Sequence, residues 1–483
     1  MLYLVIVIAY LGMIALVGIF LRGAAKTSDS YLIAGRNMGI VLCTATITGE
    51  WLGGMSTIGT SELAMTSGFF PMWYNASTAL GMMVFGFTLA SIYRRNQVAT
   101  VGEMLEKLYN RRVRSIASIC FIGAFAILSY LQLQAIGSVL SELLRIPFWI
   151  AVMAAGILIT AYVLRGGIES IGATNLIHVG WIYATLVTAY IVALVKMGGY
   201  SGLFHELAKA TDAETVARFR NPFSAGLAPI AAWLLGGILS GFASQASIQP
   251  VFAAKSIAVA KRSAVLSGLF IAPLGLIVAT LGMVRRTNVF GSGEMTSLKQ
   301  ALPNLLMDPK FIPPWIGAFG IAGILAAILS TVGPVMFAMS TILTKDIYHG
   351  IIKKEATDAQ LLRMSRLLTI AVGVTVTPMA ILFKGVILDT AYITYAIRAS
   401  AAVVVLFGIY WVRNSIPVPT SKAVIAALIS ATAASILFVI FDPQIRAWLG
   451  FSVDKVYAAL FFAVASLLIV TPLTNGKKRE PRI

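Results

Sequence analysis

Apolar runs long enough to cross a bilayer recur along this chain from one end to the other, and nothing else in the sequence restricts its fold as strongly. A helix rises about 1.5 Å per residue, so roughly 18 to 20 apolar residues span a hydrocarbon core about 30 Å thick. Hydrocarbon offers the backbone no water, so each run must satisfy its own amide groups as a helix. Only 12% of the residues are charged, against about 25% in soluble domains. The pattern predicts an all-α polytopic membrane protein of about 13 transmembrane helices. They are expected at about 1–21, 39–64, 72–93, 115–143, 147–164, 171–195, 225–248, 263–284, 314–343, 367–383, 388–412, 419–440 and 456–473. The longest polar gaps, Lys196–Asn221 and Arg285–Pro314, are loop-sized, so residues 1–483 read as a single transmembrane domain. The first run has no basic residue ahead of it and no small-residue cleavage site. Its positive charges, Arg22 and Lys26, follow it, so it reads as a span rather than a signal peptide.

A formal net charge of +18 raises nucleic acid as a partner. The distribution excludes it. With the N-terminus outside, 24 of the 37 Lys and Arg residues fall on the cytoplasmic side, 12 on the outer side, and one, Arg398, inside a span. The cytoplasmic set includes Arg94, Arg95, Arg111, Arg112, Arg114, Lys255, Lys261, Arg262, Lys353, Lys354 and a C-terminal KKREPR. This asymmetry follows the positive-inside rule and predicts N-out, C-in. The basic residues thus set topology in a plasma (bacterial inner) membrane, and the lipid bilayer is the expected partner.

Cys43 and Cys120 both fall in spans, His178, His205 and His349 are scattered, and no metal-ligand spacing, phosphate-cradling loop or catalytic triad is present. The sequence therefore predicts no enzyme. A cytoplasmic tail of about ten residues is too short for a signalling domain.

Two spans carry helix breakers among polar residues. The second reads CTATITGEWLGGMSTIG (Cys43–Gly59), and the seventh reads AAWLLGGILSGFASQASIQP (Ala231–Pro250). Each has a Trp followed closely by Gly-Gly, at Trp51 and Trp233. They lie five spans apart, and an odd offset inverts their direction across the membrane. Discontinuous helices at matching positions of inverted repeats build midplane binding sites. An unwound segment frees carbonyls for a cation and exposes a half-helix N-terminus to an anion. Gly and small residues also permit plain close packing of helices.

The ninth span, in turn, places Ser330 and Thr331 side by side, with Gly333 and Pro334 behind them and Ala327 one turn before. Two hydroxyls and a carbonyl can converge on one small hard cation, with opposing carbonyls from a broken helix completing the shell. Neutral oxygens suit sodium, whereas a divalent ion recruits carboxylates. The alternative is that both hydroxyls bond back to the preceding turn.

Four motifs, SDSYLIAGRNMG, LRGGIESIGATN, SQASIQPVFAAKSIAVAKR and AAILSTVGPVMFAMSTILTKDIY, resemble those of the sodium/solute symporters, the family of sodium–proline, sodium–glucose and sodium–sialic acid carriers. The resemblance covers nearly the whole chain. It implies a 5+5 inverted-repeat fold of the leucine-transporter type. Residues 1–38 would hold the first span and a cytoplasmic loop, 39–198 the first repeat (spans 2–6), 225–413 the inverted second repeat (spans 7–11), and 414–483 two further spans and a short tail. It also implies a sodium site made by the carbonyls of Thr44, Ile47 and Ala327 and the hydroxyls of Ser330 and Thr331. Some members use a second sodium site, with an Asp and two further hydroxyls. The matching positions here are Asn175, Gly333 and Pro334, so one coupled sodium is expected.

The solute, a small organic molecule of carboxylate or amino-acid-like character, should lie beside the sodium. Its expected wall is Thr46, Thr48, Tyr74, Asn75, Gln132, Gln134, Trp233, Gln245 and Arg398. An ionisable residue inside the membrane is costly and faces a cavity or a partner. Arg398 would therefore meet a carboxylate solute, pair with Glu50 or Asp389, or snorkel to one membrane face. The expected mechanism is sodium-coupled uptake by alternating access, with a monomer as the functional unit. A proton-coupled or uniporting carrier on the same fold is the alternative.

Overall fold

In the computed structural model the apolar runs are helical wherever the residues are described. The structure describes residues 1–20, 25–287, 298–383, 387–410, 419–450 and 453–474. Arg22, the terminal KKREPR and the side chains of Arg165 and Asp389 lie outside the described residues. The chain opens with α1 (Leu2–Phe20), a short α2 (Ser28–Ile33), α3 (Ile40–Trp51), α4 (Thr60–Ser67) and α5 (Met72–Thr88). Next come α6 (Ala90–Arg95), α7 (Val101–Leu108), α8 (Arg111–Leu144) and α9 (Phe148–Met197), then the surface helices α10 (Gly199–Ala210) and α11 (Ala213–Arg220). The second half holds α12 (Leu227–Ala243), α13 (Gln245–Ala253), α14 (Ile257–Arg286), α15 (Ala301–Met307), α16 (Pro314–Ile342), α17 (Asp358–Leu382) and α18 (Ile387–Tyr410). It closes with α19 (Ser421–Ile440), α20 (Asp442–Leu449) and α21 (Lys455–Leu473). Eight of the described helices are long and apolar enough to cross a membrane, or nine if the bent pair α12 and α13 counts as one span. Shorter apolar helices cover Leu2–Val17, Ile40–Trp51 and Phe148–Ala161.

Helix starts coincide with polar residues that flank the apolar runs. The side chains of Thr27, Thr100, Asn110, Ser256, Thr357, Thr420 and Asp454 each accept a backbone N–H from the first turn of the helix that follows. Spans expected at 147–164 and 171–195 are joined in one continuous run, α9, broken only at Gly167 (φ 60°, ψ −160°). That backbone is open only to glycine, and a Cβ there would lie 2.3 Å from the Tyr31 carbonyl oxygen.

The two interrupted spans break differently. The first loses its helix after Trp51, passes through Gly53 and Gly54 and restarts as a π turn, Met55–Gly59, before α4. In the second, Gly236 and Gly237 continue α12 unbroken; the break comes later at Ser244 (φ −76°, ψ 102°), with a bend of 43°. Gly237 instead admits α5, since a Cβ there would lie 2.2 Å from Ser77 Oγ. α16 runs through the centre of the bundle, packed against α1, α3, α8, α9 and α17. Its most apolar window is wholly buried, and it carries Ser330 and Thr331 into that interior.

Candidate functional site

The break in α3 meets the middle of α16 because glycine lets the backbones approach. A Cβ at Gly49 would lie 2.5 Å from Asn175 Nδ2 and 3.1 Å from Ser330 Cβ; one at Gly53 would lie 2.4 Å from Thr331 Oγ1. Ser330 Oγ donates to the carbonyls of Gly49 (2.9 Å) and Ala327 (2.8 Å). Thr331 Oγ1 donates to Gly49 (3.0 Å), Glu50 (3.0 Å) and, at 3.5 Å, Ala327. A hydroxyl donates one proton at a time, so these alternatives leave each oxygen with lone pairs for a cation. Asn175 Nδ2 bridges the same two elements, donating to Ser330 O (3.0 Å) and Thr46 O (3.5 Å). The hydroxyls thus face the carbonyls of Gly49 and Glu50, toward the C-terminal end of α3, with Ile47 and Thr44 earlier on the same helix.

Glu50 extends from this junction to the second break. It is 3% exposed, and its carboxylate accepts from Ser247 Oγ (3.0 Å) and Ser244 Oγ (3.3 Å) at the start of α13. A negative charge at a helix N-terminus is favourable. Arg398, 1% exposed, stands 3.7 Å from the same carboxylate and donates to Ser244 Oγ at 2.9 Å, Thr394 O at 3.1 Å and Thr394 Oγ1 at 3.4 Å. Its guanidinium lies over the rings of Tyr395 (4.7 Å), Trp51 (5.4 Å) and Phe125 (6.0 Å), where the ring quadrupoles stabilise a cation. Of the two carboxylate partners expected for Arg398, Glu50 is present at the site; Asp389 has no described side chain.

Other expected wall residues divide into two groups. Tyr74 hydroxyl bonds Tyr395 hydroxyl (2.5 Å), and Trp233 stacks among Phe70 (4.7 Å) and Tyr392 (5.9 Å), so both join the aromatic cluster around Arg398. Gln132 Oε1 accepts from Gly54 N–H (3.1 Å) inside the α3 break. Thr44 Oγ1, Thr48 Oγ1, Trp51 Nε1 and both side-chain polar atoms of Asn75 are buried without a hydrogen-bond partner. Such groups cost about 1–3 kcal/mol each unless a ligand or water meets them. By contrast, Thr46 bonds back to Leu42 O (2.7 Å). Gln134 turns to α17, donating to Ala380 O and Phe383 O. Gln245 grips a loop: it accepts from Val101 N–H (2.8 Å) and donates to Ala99 O (2.9 Å). Gly49, Ser244, Ser247 and Tyr395 complete the site and lie outside the wall expected from the sequence. Ser244 and Ser247 carried a signal, since both lie in the second interrupted motif.

A cavity of about 410 Å³ adjoins the α3 break, walled in part by Ile58, Ala135, Ser138, Lys299, Met307 and Ile321. Ala135 also flanks Gly54, 3.3 Å from the position of its missing Cβ. At the start of α3 the chain is tied to the end of α13. Met38 N–H donates to Ala253 O (2.9 Å) and Lys255 N–H to Met38 O (3.0 Å), while Arg36 holds Val98 O, Gln97 O and Phe252 O.

The family model described as "Sodium:solute symporter family" matches residues 31–417, which takes in both breaks and the Ser330–Thr331 helix. The chain belongs to the sodium:solute symporter family. It is 25% identical to a sodium/glucose cotransporter of Vibrio parahaemolyticus over 482 residues, covering 92% of this chain and 84% of that one. It is 22% identical to the sodium/proline symporter of Haemophilus influenzae, covering 96% and 93%. It is 23% identical to the high affinity choline transporter 1 of Homo sapiens, covering 79% and 68%. Among solved structures, a sodium-coupled sialic acid symporter in a substrate-bound outward-open state shares the fold, with a TM-score of 0.78, 20% identity and 98% coverage of both chains. A nucleobase–cation symporter in a closed conformation matches with a TM-score of 0.59, 15% identity and coverage of 95% and 98%. This symporter-family chain is a multi-pass membrane transporter, not an enzyme, and the family uses sodium as coupling ion.

Proposed function

We propose that this protein takes up a small organic solute, of carboxylate or amino-acid-like character, driven by one sodium ion per cycle. The observation that carries the reading is the pair of α16 hydroxyls closed onto the broken α3, one residue from a buried Glu50–Arg398 pair. Sodium would take lone pairs from Ser330 and Thr331 and carbonyl oxygens from Ala327, Thr44 and Ile47. The solute would lie among Thr48, Tyr74, Asn75, Gln132, Trp233 and Arg398, where the buried polar atoms of Thr48 and Asn75 have no hydrogen-bond partner. Arg398 and the positive end of α13 favour a carboxylate there. Thr46, Gln134 and Gln245 contribute to the frame around that space.

The same reading assigns about 13 spans as five plus five inverted helices, 39–198 and 225–413, with one span before and two after. The N-terminus lies outside and the C-terminus in the cytoplasm of a bacterial inner membrane, with a monomer as the working unit. The cavity beside Ile58 and Ala135 is the outer approach, and the Met38–Ala254 seal is the inner gate. Sodium bridges α3 and α16 and favours the form competent for solute. Solute then permits closure and inward opening. A coupling of about 1–3 kcal/mol between the two ligands is ordinary.

The test is a thermal-shift screen of purified protein against carboxylates, amino acids and sugars, in sodium and in choline chloride, since a bound ligand stabilises by mass action. Uptake of the hit into proteoliposomes should collapse when sodium is replaced by choline. Uptake that ignores sodium but follows pH would replace the reading with a proton-coupled carrier.

A further inference from the structure

We propose that the charges of Glu50 and Arg398 set the sodium affinity of the Ser330–Thr331 site, with Glu50 as the positioning residue between the two. The proposal rests on the sodium reading given above. Glu50 touches the site and the pair at once: its carbonyl accepts from Thr331 Oγ1 at 3.0 Å, and its carboxylate faces Arg398 at 3.7 Å. Both residues are almost fully buried, at 3% and 1% exposure, so their charges act through a low-dielectric interior where screening is weak.

The pair is loose. At 3.7 Å it lies beyond hydrogen-bond length, and the direct links run through Ser244, which receives Arg398 Nη1 at 2.9 Å and donates to Glu50 at 3.3 Å. Three aromatic rings flank the guanidinium and supply no second carboxylate. Arg398 therefore reaches the Glu50 carboxylate mainly through Ser244, and a cation held by Thr331, whose hydroxyl donates to the Glu50 carbonyl, would feel both charges, each with its own sign. That balance gives a signed consequence. Removing the negative charge leaves Arg398 to repel sodium. Removing the positive charge leaves an unpaired carboxylate to attract it. Removing both returns the site to neutrality.

The experiment measures the sodium concentration at half-maximal thermal stabilisation of purified protein, with choline chloride holding ionic strength constant. Glu50→Gln should raise this midpoint tenfold or more, on the order of one charge acting at short range in a buried site. Arg398→Gln should lower it. Glu50→Gln combined with Arg398→Gln should fall between the two, near the parent value. Opposite signs are what a merely structural role would not produce, because simple damage would weaken both variants alike. Shifts in the same direction, or none, would overturn the proposal. Should Arg398→Gln not fold, the comparison of Glu50→Gln with the double variant decides: no recovery toward the parent midpoint overturns it equally. A parent protein with no sodium midpoint would overturn the sodium reading itself and this proposal with it, whereas a clear parent midpoint with unmoved variants removes only the charge assignment.

Discussion

Replacing Gln245 by Met keeps the volume of the side chain and deletes both ends of its clamp on the 99–101 loop. The clamp consists of two hydrogen bonds, 2.8 Å to Val101 N–H and 2.9 Å to Ala99 O, made by a side chain with 0% exposure. Between those two residues Thr100 donates to Asp346 at 2.7 Å, and Asp346 in turn holds Arg114 (2.8 Å) and Ser118 (2.8 Å). Gln245 thereby ties the second broken span, through the 99–101 loop, to Asp346 just beyond α16, beside the Met38–Ala253 contact that is proposed as the inner gate. Two buried neutral hydrogen bonds are worth about 1–3 kcal/mol net. If they are lost when the seal opens, Gln245→Met should raise the open population about 5- to 150-fold. Cys43 reports that opening. Its thiol is buried and directed at the carbonyls of Pro250 (3.3 Å) and Met38 (3.7 Å), inside the seal. In a Cys120→Ala background Cys43 is the sole thiol. Its alkylation rate by N-ethylmaleimide in membranes should rise by that factor in Gln245→Met. An unchanged rate in a folded protein would refute the assignment of the clamp as part of the gate.

Thr331→Ala should raise the sodium concentration required for stabilisation about tenfold or more, since it removes one of the few oxygens that would coordinate the ion; an unaltered sodium midpoint counts against Thr331 as a ligand. Gly49→Ala should separate α3 from α16, because its Cβ would meet Asn175 Nδ2 at 2.5 Å and Ser330 Cβ at 3.1 Å. The expected readout is loss of sodium stabilisation from protein that still elutes as a single species, and retained sodium binding would show the approach is dispensable. Gly167→Ala should cost about 1–3 kcal/mol from backbone strain alone, plus a clash with Tyr31 O, seen as a lowered unfolding temperature. A carboxylate identified by the ligand screen should lower the sodium midpoint of the parent protein and lose that effect in Arg398→Gln; a retained effect would place the solute's charge elsewhere.

The amino-acid sequence by itself determined the bilayer as solvent, the helical class, and which two spans are interrupted, though not where the second one breaks. Those follow from local physics: long apolar runs, glycines beside hydroxyls, and polar caps at the start of several helices. The same logic brought Ser330 and Thr331 forward as a pair, because two hydroxyls at the centre of an apolar span need an explanation wherever the helix packs. What only the tertiary structure decided is which partners those polar groups find. The Gly-Gly pair after Trp51 opens a helix, while the pair after Trp233 serves close packing with Ser77; their local sequences are alike, and the neighbouring helix makes the difference. Gln245 looks equally suited to a solute or to a backbone clamp until the 99–101 loop is placed against it. Arg398 meets Glu50, 348 positions earlier in the chain (398 − 50), at 3.7 Å. The physical reason is common to all three. Burial tendency is a property of short segments, but a hydrogen bond or ion pair is a property of two segments, and the second one lies far away in the chain.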